Sequence, residues 1–344
     1  MNGSATPACG LVVDRHVPKT AGTTVRSMLR LNVQRGACEY IGYDVGRTWE
    51  SRVGFNHRSL PELALQLKNG RTESQRICME AHMVGGTFWD ELAALRASQS
   101  FMRACTLVVV IRIREPLSWY RSYYDWAVLS RQRTGDVDGG LAHWGANFSD
   151  WLPANMQSRF LLHGSKGQDS EWANVVARRR GGPTIGAERW AELESIVRSA
   201  EVVAPLDRLA ESLRLVVRRS GFLRTSEFIS HKPSPMHGPW ERLPRLARVR
   251  PAAEFCAQPA ADCAAAVRAV APADHRLYQL ANSLFEEQWR REFGSPLPPP
   301  TRFDAPPAPV VQSSSPHARR RRATKRAREE KWRAERAART YREH

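Results

Sequence analysis

The chain is short of acidic residues: 35 Asp and Glu stand against 52 Lys and Arg among 344 residues, a formal net charge of +17. Such a surplus argues against cationic partners and for acidic ones: nucleic acid, an anionic glycan, a phosphorylated cofactor or a membrane surface. Long apolar runs are missing too. None approaches the roughly 20 residues of a membrane span, and the N-terminus has no apolar segment of the signal-peptide kind. Taken as complete, the chain is expected in the cytoplasm; otherwise an anchor precedes the residues given. Six cysteines occur, none in C-x-x-C spacing, which argues against a zinc ribbon or a thioredoxin-like site. Cys256 and Cys263 are close enough to pair in an oxidising compartment, or both remain reduced thiols. No His, Cys, Asp and Glu cluster has metal-ligand spacing, so no metal is expected. The G-x-x-x-x-G-K-[ST] loop is absent, which weakens a nucleotide kinase reading. No internal repeat is found.

The positive charge is unevenly spread. Residues 317–344 hold twelve Lys and Arg against four Asp and Glu, a net +8, and the remainder still carries +9. Pro and Ser dominate the stretch before this tail. The expected organisation is a catalytic domain over 1–295, a Pro/Ser-rich linker over 296–316, and a basic, helix-compatible tail over 317–344. Asn2-Gly3-Ser4 and Asn147-Phe148-Ser149 fit the glycosylation sequon.

Within the larger part, strands and helices alternate. Leu11-Val12-Val13 reads as a strand, and Val25, Met28, Leu29 and Val33 follow at helical spacing. Residues 35–58, with four glycines, read as loop. Leu60–Leu67 is a short amphipathic helix, Ile77–Met83 a buried strand, and Phe88–Leu95 a helix. The unbroken run Thr106–Ile113 is the clearest strand, of the kind covered on both faces in a parallel sheet. A helix over 117–130, a loop over 135–145, a helix over Asn155–Leu162, a strand over Glu201–Ala204 and a helix over Asp207–Arg219 follow. His231–Pro239 is a proline-rich loop. Asp274–Phe293 is a strong amphipathic helix. The expected fold is α/β, a central parallel sheet with flanking helices.

Two loops carry chemistry. The first, Pro18-Lys19-Thr20-Ala21-Gly22-Thr23-Thr24, joins a strand to a helix. Such a loop aims backbone N–H groups and a helix N-terminus at one spot, which suits a phosphate. Lys19 adds a mobile charge, Thr23 and Thr24 add hydroxyls, and Gly22 lets the backbone approach closely. An ordinary turn with an exposed lysine is the plain alternative. The second loop begins with Arg114-Glu115-Pro116 at the carboxyl end of the clearest strand, where open α/β sheets bind ligands. Ser118 and Ser122 share a helix face beyond it. Arg114 with a helical serine suits a second phosphate; a surface ion pair and plain helix surface are the alternatives.

Together these loops make the chain resemble the carbohydrate sulfotransferases that use 3′-phosphoadenosine 5′-phosphosulfate, especially the Golgi group with the uronyl and heparan sulfate 2-O-sulfotransferases. In that family a P-K-T-A-G-T-[ST] loop holds the 5′-phosphosulfate, and Pro18 to Thr24 match it. A later strand ending R-[DE]-P, with a serine eight residues after the arginine, holds the 3′-phosphate; Arg114, Glu115, Pro116 and Ser122 match that. Asn155-Met156-Gln157 resembles the family's N-x-Q helix, and Leu277-Tyr278 with Phe285-Glu286-Glu287 resembles its last helix. Trp119 stands where the family often has a basic residue, with Arg121 nearby.

The resemblance implies a P-loop-like sulfotransferase fold over residues 11–293. It implies sulfuryl transfer to a carbohydrate hydroxyl, with adenosine 3′,5′-bisphosphate as product, in the Golgi lumen. Lys19 would neutralise the departing phosphate. The family's base lies on a His-Gly-His stretch; Glu80-Ala81-His82 occupies that place, so His82 is the candidate base, with Glu80 as its orienting partner or as the base itself. A structural histidine is the alternative. Arg178-Arg179-Arg180 is a candidate contact for an anionic polysaccharide acceptor, with a solvated loop as the plain alternative, and His231-Lys232 for the cofactor. A nucleic-acid-binding protein acting through residues 317–344 is the rival from another class.

Overall fold

The structure, a computed structural model, describes residues 9–42, 60–69, 75–81, 87–125, 148–162, 184–228, 252–258 and 261–300. His82, Arg178–Arg180, His231–Pro239, residues 126–147, both sequon asparagines and the basic tail lie outside the described residues. The chain divides into two units, Met1–Thr301 and Arg302–His344; the described residues belong to the first.

That unit is built on five parallel strands in the order β2-β3-β1-β4-β5. They are β1 (Cys9–Arg15), β2 (Glu39–Ile41), β3 (Arg76–Ala81), β4 (Cys105–Ile113) and β5 (Val202–Pro205). Helices α1 (Gly22–Gln34), α2 (Leu60–Lys68), α3 (Phe88–Ala97), α4 (Gln99–Ala104) and α5 (Pro116–Tyr123) come first. Then come α6 (Phe148–Trp151), α7 (Met156–Leu162), α8 (Ala187–Arg198), α9 (Leu209–Ser220), α10 (Ala252–Cys256), α11 (Cys263–Val270) and α12 (Pro272–Phe293). The sequence-based expectation of an α/β fold with a central parallel sheet and flanking helices is borne out.

Burial explains the strand sequences. β1 is buried at all seven positions and β4 at eight of nine. Its side chains alternate between two cores. Leu11 and Val13 pack with Leu92, Val109, Leu161 and Leu277 on one face. Val12 packs with Met28, Val108, Leu213 and Phe285 on the other. A sheet covered on both faces has no need of polar alternation, which is why β4 reads as an unbroken apolar run.

The differences from expectation are local. Within the stretch read as loop, Glu39–Ile41 forms the edge strand β2, paired with Ile77–Met79 of β3. Three residues are too few to display a period of two. Asn155 does not belong to α7 but precedes it with φ 51°, and its Oδ1 accepts from the Ala273 amide at 2.8 Å. The helix expected over 207–219 opens with a single 3-10 turn, Leu206–Arg208.

All six cysteines are paired, as Cys9–Cys105, Cys38–Cys78 and Cys256–Cys263. The first joins the opening residues of β1 and β4, which are register partners. The second ties the residue before β2 to β3. Of the two states left open for Cys256 and Cys263, the structure has the disulfide. Among the described residues, no helix is long and apolar enough to cross a membrane.

Candidate functional site

The strand order sets β3, β1 and β4 side by side, so their carboxyl ends deliver three segments to one edge of the sheet. These are Glu80-Ala81, the loop from His16 to Ala21, and Arg114-Glu115.

The loop after β1 is held by its carbonyl groups. Val17 O accepts from Thr20 Oγ1 (2.7 Å), Pro18 O from Trp119 Nε1 (2.7 Å), Lys19 O from Arg114 Nη1 (3.1 Å) and Thr20 O from Arg112 Nε (2.9 Å). A trans peptide plane sets each carbonyl opposite the next amide. Pinning the carbonyls of Pro18 and Thr20 therefore turns the amides of Lys19 and Ala21 the other way. Lys19 and Ala21 both have positive φ, 66° and 64°. A left-handed residue that is not glycine costs about 1–2 kcal/mol, and such strain gathers at functional sites. Ala21 is also the N-cap of α1 and supplies no side-chain cap. The amides of Gly22, Thr23 and Thr24 precede the first helical bond, from Val25 N to Ala21 O at 3.0 Å. An uncapped helix start beside left-handed residues is the arrangement that cradles anions.

Gly22 is required for packing. A Cβ there would overlap the His16 imidazole, which lies against the start of α1.

Arg114 is fixed at main chain and side chain. Its amide donates to Gln157 Oε1 (3.0 Å), its carbonyl accepts from Gln157 Nε2 (2.8 Å), and its Nε donates to Ser118 Oγ (2.9 Å). Glu115 caps α5, its carboxylate accepting from the amides of Leu117 (3.0 Å) and Ser118 (2.6 Å). Ser122 lies one turn beyond Ser118 on α5 and is half-buried. Trp119 is fully buried, stacked on Tyr123 at 4.7 Å between ring centres. It holds the first loop from beneath.

Burial lowers the Lys19 ammonium pKa, and the nearby Arg114 charge lowers it further, against the pull of Asp125. Burial likewise lowers that of Arg114, with Arg121 adding and Glu115 opposing. Two like charges kept close at the mouth of an amide-lined loop favour an anion.

Behind the loop lies a second polar group. Glu80, with no side-chain exposure, accepts from His16 Nδ1 (2.7 Å), from Arg26 Nε and Nη2 (2.8 Å each) and from the Tyr40 hydroxyl (2.6 Å). Burial pushes its pKa up, but the bonds from His16 and Arg26 outweigh that and hold the carboxyl well below the usual range. An ionised carboxylate only accepts, so the proton in the His16 contact sits on Nδ1. A third group anchors the sheet end. Arg112 Nη2 donates to Asp14 Oδ2 at 2.8 Å, both side chains being almost wholly buried.

The structure thus brings together Lys19, the loop 18–24, Arg114 and the start of α5, with Glu80 behind them. Gln157, part of the Asn155-Met156-Gln157 match, and Trp119, at the position where the resemblance has a basic residue, join them, as do Arg112, His16, Arg26 and Tyr40, to which the sequence assigns no role; all converge through strand order and buried hydrogen bonds. No group of residues able to hold a metal ion is found among the described residues. No family model matches the chain, and no curated protein matches it.

Proposed function

We propose that this protein is a sulfotransferase that moves the sulfuryl group of 3′-phosphoadenosine 5′-phosphosulfate to a hydroxyl of a carbohydrate. One observation carries the reading. Two half-buried cations, Lys19 and Arg114, stand on neighbouring loops beside the Lys19 and Ala21 amides, turned outward by the pinned carbonyls of Pro18 and Thr20. The two sites suit a ligand with two separate phosphate groups, and the resemblance of both loops to the carbohydrate sulfotransferases names that ligand.

On this reading the amides of Lys19, Ala21, Gly22, Thr23 and Thr24 take the 5′-phosphate, the Thr20 amide being turned inward to the Val17 carbonyl, while Arg114 with Ser118 and Ser122 takes the 3′-phosphate. The nucleotide supplies the sulfuryl group. The sulfur–oxygen bond to its phosphate breaks and one to the acceptor oxygen forms, while the hydroxyl proton passes to a base. Lys19 neutralises charge on the departing phosphate, and the rigid loop supplies positioning without reorganisation. His82, which directly follows β3, is the base. Glu80 acts as an anchor, because its oxygens are already taken by His16, Arg26 and Tyr40. The net positive charge of the part before the tail favours an anionic polysaccharide as acceptor. Three disulfides with no free cysteine favour an oxidising compartment such as the Golgi lumen.

Calorimetric titration with adenosine 3′,5′-bisphosphate tests the reading. Native protein is expected to bind in the micromolar range, and Lys19→Ala and Arg114→Ala to bind at least about tenfold more weakly, as loss of a charge-assisted hydrogen bond predicts. A folded native protein that binds none would end the proposal.

A further inference from the structure

Two separate frameworks hold the site. The phosphate loop is pinned from β4, α5 and the turn between them, by Arg112, Trp119 and Arg114. The Glu80 group takes His16 from the start of that loop and Arg26 from α1, but its fourth hydrogen bond comes from Tyr40 of β2, the edge strand of three residues. Cys38 precedes β2 and Cys78 lies on β3, with the Tyr40 hydroxyl bonded to Glu80 two residues further along both chains. Residues two apart on a strand share a face. The register sets Tyr40 opposite Cys78, so the disulfide and the Tyr40–Glu80 bond are two successive diagonal links, one on either side of that pair. The Tyr40 ring also lies 6.0 Å from the Arg30 guanidinium of α1. Gly42 completes the arrangement: a Cβ there would overlap the Tyr40 phenol and come within 3.1 Å of Glu80 Cβ.

We propose that the Cys38–Cys78 disulfide and Tyr40 are positioning elements for the Glu80–His16 pair, so that this half of the site assembles only in the oxidised protein, while the phosphate loop assembles without them. The physical reason is the weakness of β2. A three-residue edge strand has few ladder bonds to hold it, and a covalent tie beside Tyr40 fixes the phenol where Glu80 needs its fourth hydrogen bond. Once Tyr40 leaves, Glu80 keeps His16 and the two-pronged Arg26 contact, but its Oε2 is left with one donor instead of two. The His16 imidazole, wedged against Gly22, then loses its fixed orientation beside the loop.

The turnover part of this inference rests on the sulfotransferase reading; the positioning part does not. The test uses the native chain, Tyr40→Phe, the double variant Cys38→Ala/Cys78→Ala, and Cys9→Ala/Cys105→Ala as a control at the opposite, amino end of the sheet. Three quantities are read: the hydrogen-bonded Nδ1–H resonance of His16 in ¹⁵N-histidine-labelled protein, assigned with His16→Gln; affinity for adenosine 3′,5′-bisphosphate; and sulfuryl transfer to a heparan-type polysaccharide. Tyr40→Phe and the Cys38/Cys78 variant are expected to broaden or lose the His16 resonance. Their turnover is expected to fall about tenfold to a hundredfold, the scale of a small misplacement. Their nucleotide affinity is expected to stay within about threefold of native, under 0.7 kcal/mol. The control keeps all three. A His16 resonance of native intensity in Tyr40→Phe overturns the proposal, even if the double cysteine variant fails to fold. Native protein that binds no adenosine bisphosphate refutes the sulfotransferase reading, and the His16 resonance then decides the positioning claim alone.

Discussion

Gln157 grips the main chain of Arg114 at both ends, accepting from its amide at 3.0 Å and donating to its carbonyl at 2.8 Å. The amide side chain acts as a surrogate strand at the point where β4 stops, and it holds the Arg114 backbone while the guanidinium reaches Ser118 and the Lys19 carbonyl. Gln157 is itself fully buried, its own amide bonded to Asp274 Oδ2 at 3.2 Å. Only a side chain with one donor and one acceptor satisfies both groups. Gln157→Glu removes the donor and sets a buried carboxylate against the Arg114 carbonyl. A stability loss of about 1–3 kcal/mol is expected, with weaker nucleotide binding. Gln157→Met, which fills the volume but satisfies neither group, is expected to behave alike. Thermal melts and calorimetry on the two variants check this; unchanged affinity in both would detach Gln157 from the site.

Lys19 makes a prediction about pH. Its pKa is lowered by burial and by Arg114, so in the folded, ligand-free protein the proton is lost at lower pH than in the unfolded chain. Between the two values the unfolded state binds more protons, and stability rises with pH. Ligand-free protein is therefore expected to gain stability as pH rises from the lowered value toward the ordinary lysine value near 10.5, and Lys19→Met to lack that part of the gain. An anion in the loop reverses the preference, so nucleotide binding is expected to weaken over the same interval. Urea denaturation at stepped alkaline pH, with and without adenosine 3′,5′-bisphosphate, measures both signs.

Glu80 has the opposite sign. Its folded-state pKa is depressed, burial being outweighed by His16 and Arg26. Its contribution to stability is fully present above the unfolded carboxyl value and is lost as pH falls through the folded one. Glu80→Gln accepts fewer bonds and takes the carboxylate charge away from Arg26. Breaking a buried pair of this kind costs about 3 kcal/mol. The difference between native and variant is expected at neutral pH and to narrow as the solution is acidified below pH 4.5, the ordinary carboxyl value. A constant difference down to strongly acid pH would mean that the interaction is not ionic.

The parts of this molecule legible in the sequence are those set by local chemistry. β4 shows itself because both of its faces are covered, and α12 because one face meets the core. The two loops show themselves because a strand–turn–helix with Lys19, and an arginine closing a strand, are local patterns. β2 is illegible at three residues, held by its pairing and a disulfide rather than by composition. The helix α8 buries Trp190, Leu193 and Val197 at helical spacing, a local pattern that the sequence also carries. What no reading of adjacent residues supplies is convergence. Trp119, Arg112 and Gln157 come from α5, β4 and α7, yet all act on the main chain of the two loops. A buried tryptophan in an aromatic helix resembles any core residue until its Nε1 is seen to face a carbonyl.

Trp119 therefore provides a sharp separation of packing from positioning. Its indole stacks on Tyr123, meets Tyr120 edge-on at 5.2 Å, and donates Nε1–H to Pro18 O at 2.7 Å. Trp119→Phe keeps a ring in that stack but removes the donor, leaving a loop carbonyl without its bond. An orphaned carbonyl costs about 1–3 kcal/mol if it stays in place; a rotation of the Pro18–Lys19 peptide plane instead brings the carbonyl toward the anion and turns the Lys19 amide away. Either way the damage falls on the loop, not on the core. The variant is expected to melt a few degrees below native, as 1 kcal/mol shifts the midpoint of a domain this size by about 2–4 °C. Its nucleotide affinity is expected to fall about tenfold or more, a larger fraction of the binding energy than of the fold. Tyr123→Leu removes the stacked ring and leaves the indole donor, so it is expected to lower the melting temperature with little change in affinity. Calorimetry and melting curves on the two variants compare the effects directly. Equal losses of affinity would show that Trp119 acts through packing alone, and that Pro18 O needs no donor to hold the loop.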